Sequence, residues 1–105
     1  NDLLQGRSPE QAVKRLDRFL SGISLDRSKI LVIAPPPMTL GAWVPSQQLS
    51  DDSHAFVWLC QALAEHLGIC FADAGKWDIP LAYDGVHFME QGHRAFAAGL
   101  LEELK

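Results

Sequence analysis

A chain of 105 residues with 48% apolar and 21% charged residues has the composition of one small folded domain, or of part of a larger one, and excludes a disordered chain. The net charge of −4, with no local cluster of Lys and Arg, gives no surface for nucleic acid or an anionic membrane. No apolar run reaches the roughly 18 residues of a membrane span, and nothing at the N-terminus has the pattern of a signal peptide.

The first residue is an asparagine, which leaves open that the natural start lies upstream. Cys60 and Cys70 sit in apolar stretches without CxxC or Cys/His ligand spacing. They read as buried free thiols in a reducing compartment, hence a cytoplasmic location.

In chain order, Ser8-Pro9-Glu10-Gln11 opens a helix: serine caps, proline suits the first turn, and Gln11 completes a capping box. Ala12, Val13, Leu16, Phe19, Leu20 and Ile23 recur at helical spacing, and Gly22 is a stop. Ile30 to Ala34, closed by Pro35-Pro36-Pro37, reads as a strand covered on both faces, as in a parallel sheet. Met38 to Gln48 reads as a loop carrying Trp43. A second helix follows, capped by Ser50 or Ser53 with Asp51 and Asp52 near its positive end.

The apolar face of that helix holds Phe56, Val57, Leu59, Cys60, Leu63, Ala64 and Leu67, and Gly68 ends it. Trp58 fits the register as core or core-edge packing, while His54 and His66 read as surface positions. Ile69 to Ala72 is a second short strand, and Asp73 shapes the turn after it. A loop to Phe88 then leads to a last helix with Phe96, Ala97, Leu100, Leu101 and Leu104 as its buried face.

Strands alternating with helices predict an α/β layered sheet with right-handed crossovers. Two strands are too few to bury both faces of a run as apolar as Ile30 to Ala34, and parallel strands need neighbours for their backbone groups. At least one further strand is therefore expected from sequence beyond these residues or from another chain.

Asp84-Gly85-Val86-His87-Phe88 carries the chemistry. A carboxylate three residues before a histidine, on a loop between strand and helix, can bend back to accept the Nδ1–H of the imidazole. That fixes the tautomer, frees Nε2 as a base and stabilises the imidazolium. Gly85 supplies the backbone freedom of a tight loop. Taken alone, the spacing is a weak signal, more often an exposed aspartate and a helix-capping histidine.

The longer segment from Asp84 to His93 resembles the last block of the SGNH (GDSL-type) hydrolases, D-G-x-H-hydrophobic-S/T-x-x-G-H. Asn1-Asp2-Leu3-Leu4 is similar to the end of that family's G-x-N-D block. With Ile33 to Pro37 and Phe71 to Gly75, the chain looks most like the arylesterase and acetyl-esterase branch. The resemblance covers the whole chain. It implies that residues 1–105 are the C-terminal part of a flavodoxin-like three-layer α/β/α sandwich with parallel strands.

It further implies His87 as general base and acid, Asp84 as its orienting carboxylate, and the Asn1 side-chain amide as an oxyanion donor. The implied reaction is hydrolysis of short-chain acyl or acetyl esters of small molecules, without cofactor or metal. A metal set of Asp84, His87 and His93 is set aside because His93 matches the family's structural histidine. Asp2 reads as structural, holding the site loop. Trp43 and Trp77, both in loops, are candidates to line an acyl pocket.

Two departures stand out. Met89 replaces the usual Ser or Thr, here assigned as the cap of the last helix, with Glu90 offsetting part of the loss through the helix dipole. More serious, the G-D-S nucleophile block and the glycine oxyanion donor do not occur. Ser8, Ser21, Ser24, Ser28, Ser46, Ser50 and Ser53 lie at helix caps, helix ends or in loops, and none follows a buried strand in a tight turn.

The chain alone is therefore expected not to turn over esters, and to associate with a missing N-terminal half or with itself. The other class open to it is a non-catalytic remnant or interaction module that retains the motif by descent.

Overall fold

The computed structural model describes residues 2–105. The first helix, α1 (Pro9–Ser21), starts as its cap signal dictates. The Ser8 hydroxyl accepts the Gln11 N–H at 3.2 Å and the Gln11 side chain accepts the Ser8 N–H at 2.9 Å, which satisfies two otherwise orphaned donors. Gly22 ends the helix. Ala12 and Leu20 are buried, whereas Phe19 is exposed, at the edge of the apolar stripe.

A short 3₁₀ turn (Arg27–Lys29) leads into β1 (Leu31–Ala34), which pairs in parallel with β2 (Cys70–Asp73), Leu31 opposite Cys70 and Ala34 opposite Asp73. The crossover that a parallel pair needs is α2 (Gln47–Leu67), ended by Gly68 in the left-handed conformation at φ +71°. A second 3₁₀ turn (Ala74–Lys76) and a long loop precede α3 (Glu90–Glu103). The order helix, strand, helix, strand, helix is the expected one.

Several expectations are corrected. α2 is capped by Ser46, whose hydroxyl accepts the Leu49 N–H, so Gln47 and Gln48 are helical. Ser50 and Ser53 are buried inside the helix because their hydroxyls serve the backbone after β1. Ser50 Oγ donates to the Met38 carbonyl (2.7 Å), the Met38 N–H donates to Ser53 Oγ (2.9 Å), and Ser53 Oγ donates to the Ser50 carbonyl (2.6 Å). Trp58 is 80% exposed. It lies about a third of a turn from the buried line Ser53–Val57–Cys60–Ala64, on the solvent side of the helix.

Cys60 is buried as expected, but Cys70 opens β2 and is exposed, with no strand beyond it among the described residues. β1 is only partly covered: Ala34 is buried while Leu31, Val32 and Ile33 are half-buried, as a sheet of two strands leaves them. On α3 only Gly92 is buried; Phe96 and Leu100 are half-buried, and Ala97, Leu101 and Leu104 are exposed. The helix docks through its glycines. A side chain at Gly92 would strike the Pro80 carbonyl, and one at Gly99 would strike the Trp77 indole. Nothing among the described residues covers the C-terminal turns. The core runs through Ala34, Val44, Cys60, Ala64, Ala72 and Ala74.

Candidate active site

The site is a loop closed on itself beyond β2. Leu81 and Phe88 form an isolated antiparallel bridge, Ala82 N–H donates to the His87 carbonyl at 2.7 Å, and Gly85 N–H donates to the Ala82 carbonyl at 2.9 Å. Gly85 sits at φ +81°, where a side chain would be strained. The fold thereby turns the Asp84 carboxylate back over its own loop. Oδ1 accepts the N–H groups of Val86 (2.8 Å) and His87 (2.9 Å), and Oδ2 lies 2.6 Å from His87 Nδ1.

An ionised carboxylate only accepts, so Nδ1 carries the proton and Nε2 is left free to take one. Asp84 is buried, while the His87 side chain is 58% exposed. The backbone N–H of His87, then that of Val86, hold the Asp84 carboxyl below its ordinary value, against the opposing effect of burial; the His87 ring adds to the lowering. The pairing expected from the D-x-x-H spacing is thus formed. Its chemical capacity is that of an ionised, fixed carboxylate behind an accessible base.

A second loop braces the first. Thr39, Ala42 and Trp43 donate their N–H groups to the carbonyls of Gly85, Tyr83 and Asp84, each at 3.1 Å. Gly41 and Val44 close the turn between them. Val44 is completely buried, and a Cβ on Gly41 would stand 2.5 Å from the Tyr83 carbonyl oxygen. The Trp43 indole meets the His87 ring edge-on, 4.8 Å between centroids at 80°. Sequence reading placed Trp43 in a pocket-lining loop but missed this bracing. The only local signal is Gly41, in a loop whose backbone approach a larger residue would block.

Trp77, a candidate to line an acyl pocket, packs beneath α3, against Gly99 and at 5.4 Å from Phe96. His93 is exposed and meets the Phe88 ring edge-on, 5.4 Å between centroids. His54 and His66 are exposed, as expected. Met89 gives α3 no side-chain cap, and Glu90 in the first turn pairs with Arg94. Asp73 shapes its turn by accepting the Gly75 N–H at 2.8 Å.

Asn1, the expected oxyanion donor, lies outside the described residues. Asp2 accepts from Arg7 and Arg15 (3.3 and 3.0 Å). Asp2 and Leu3 line a cavity of about 530 Å³ between α1 and α2, with Pro35, Pro36, Val86 and Phe88 on its other side. Among the described residues no serine hydroxyl is hydrogen-bonded to His87. None of their His, Cys, Asp and Glu side chains form a group of three or more able to hold a metal ion, and no helix is long and apolar enough to cross a membrane.

The described residues form a parallel α/β unit with a carboxylate-held histidine on a loop past the strand ends. Residues 1–95 match the model of the GDSL-like lipase/acylhydrolase family, and the chain belongs to that family. No curated protein matches the chain.

Among solved structures, it is similar to a proposed arylesterase from Agrobacterium tumefaciens strain C58, with 27% identity, a TM-score of 0.83, and coverage of 99% of this chain and 55% of that one. An aryl esterase from M. smegmatis follows at 24% identity and TM-score 0.77, with 99% and 55% covered. A carbohydrate acetylesterase family member from Sinorhizobium meliloti follows at 22% and 0.76, with 94% and 52% covered. The last two establish the fold alone. The chain spans about half the length of the solved structures it matches.

Proposed function

We propose that this chain supplies the acid–base half of a serine esterase site acting on carboxylic esters with short acyl groups. In this reading His87 Nε2 accepts the proton of a serine hydroxyl as that oxygen attacks the ester carbonyl, and Asp84 stabilises the imidazolium. The same proton then passes to the departing alcohol, and water repeats the sequence on the acyl-enzyme. The Asn1 amide, on the resemblance of Asn1-Asp2-Leu3-Leu4, supplies one hydrogen bond to the oxyanion. The nucleophile comes from outside these 105 residues.

The observation that carries the reading is the 2.6 Å pairing of an exposed imidazole with a buried carboxylate already pinned by two backbone N–H groups. Family membership and the esterases among the structural neighbours support the reaction class.

The isolated chain is expected to be inactive, since loss of a triad serine lowers turnover on the order of a millionfold. Hydrolysis of p-nitrophenyl acetate by the pure chain, abolished by His87→Ala, would overturn this. A second reading, a non-catalytic descendant of such an esterase, is favoured by the want of a serine bonded to His87 among the described residues. A G-D-S motif after a strand in the encoding frame, roughly seventy residues before Asn1 by the family resemblance, decides for the esterase; its absence decides for the descendant.

The partly covered β1 and the exposed Leu101 and Leu104 of α3 support association with a complementary half or with a second copy. Sedimentation of a sharply monomeric chain that melts cooperatively would count against it.

A further inference from the structure

We propose that Trp43 is the positioning residue of the His87 imidazole, a role that rests on His87 being the base of the proposed site. The ring is 58% exposed, and its one side-chain hydrogen bond, to Asp84 Oδ2, fixes a single edge. A hydrogen bond through one atom leaves the ring free to rock about that atom and to leave it for another rotamer. The Trp43 indole, standing at 80° to the ring and 4.8 Å away, walls off one of those directions.

The wall is tied to what it guards. Trp43 N–H donates to the Asp84 carbonyl, so one backbone hydrogen bond ties the residue that bears the indole to the residue whose carboxylate holds the ring. Its loop is anchored in turn at Met38, whose N–H and carbonyl are both taken by the buried Ser53 and Ser50 hydroxyls of α2. Packing does not account for the indole: it is 54% exposed, and among the described residues His87 is its only aromatic neighbour. An apolar side chain of that size left half in water contributes little to the core. What it does contact is the ring whose orientation the chemistry requires, where misplacement of a reacting group by an ångström is costly.

The test reads ring order directly on the 105-residue chain, by the exchange of the His87 Nδ1–H with water in NMR. Trp43→Ala is expected to raise that exchange rate about 2- to 10-fold, the equilibrium weight of an aromatic pair. Trp43→Phe, which restores an aromatic wall, should return it to within about twofold of the wild-type value. The backbone N–H groups of Val86 and His87, bound to Asp84 Oδ1, should keep their protection from exchange in both variants.

A Trp43→Ala rate equal to wild type overturns the proposal. So does joint loss of Val86 and His87 N–H protection, since it would show that the indole merely packs the loop. Asp84→Asn reads the underlying pairing separately. If it leaves the Nδ1–H unchanged, the Asp84–His87 reading fails; if it abolishes protection while Trp43→Ala does nothing, only the role of Trp43 fails.

Discussion

Replacing Gly85 by alanine measures how tightly the two site loops are locked, and Gly68 provides its control. Both glycines have left-handed backbones, φ +81° and +71°, so alanine pays about 1–2 kcal/mol at either for that conformation. Around Gly68 a Cβ meets nothing within 4 Å, and the backbone term is the whole effect. At Gly85 the Cβ would fall on the Thr39 carbonyl oxygen and 3.3 Å from Val44 Cγ2, so the 39–44 loop must retreat.

Retreat breaks the bonds from Thr39, Ala42 and Trp43 to Gly85, Tyr83 and Asp84. At about 1 kcal/mol net for each bond, a further 2–3 kcal/mol is lost. The sum of about 3–5 kcal/mol is comparable with the whole stability of a small domain. With a urea slope near 1 kcal/mol/M, Gly68→Ala should lower the midpoint by about 1–2 M, and Gly85→Ala should leave little folded protein in water. Urea melts followed by tryptophan fluorescence decide it: equal midpoints for the two variants would refute the interlocked loops.

Other outcomes follow from the same geometry. Asp84 has a folded-state pKa below its ordinary value of 3.8. Its contribution to stability is therefore complete above about pH 4 to 5 and is lost as the pH falls through the lowered value. Between pH 5 and 2.5 the urea midpoint of Asp84→Asn should fall less steeply than that of the wild type; parallel curves would contradict the pairing. Ser53→Ala strips the Met38 N–H of its acceptor and should cost about 1–3 kcal/mol, checked by thermal melts beside the exposed Ser24→Ala. Iodoacetamide at pH 8 should label exposed Cys70 and spare Cys60, whose thiol burial pushes up to about 11, as peptide mass spectrometry would show.

Local chemistry was legible in the sequence wherever it was self-contained. The Ser8–Gln11 box, the stops at Gly22 and Gly68 and the Asp84–His87 spacing each involve partners within a few residues, and all form as read. Ser50 and Ser53 read as the candidate caps of α2, and Ser46, which caps it, as part of the loop before it. The choice among them depends on Met38, a backbone group twelve to fifteen residues away that needs two hydroxyls. The bracing of Asp84 by Thr39, Ala42 and Trp43 is likewise a long-range pairing of main-chain groups, which leaves no side-chain pattern to read. The exposure of Cys70, Leu101 and Leu104 follows from what packs beyond an element, and periodicity reports only which side of it is apolar.

The short strand β1 has a consequence for handling the protein. Ile30 to Ala34 is an uncharged run of high β-propensity whose outer edge has no partner among the described residues, which makes it a template for cross-β stacking. Lys29 stands before it and Pro35, Pro36 and Pro37 directly after it. A positive charge at one end and three residues without an N–H at the other are gatekeepers, confining any growing stack to those few residues. Replacing the prolines would lengthen the adhesive segment and shift the chain from soluble association toward fibrils.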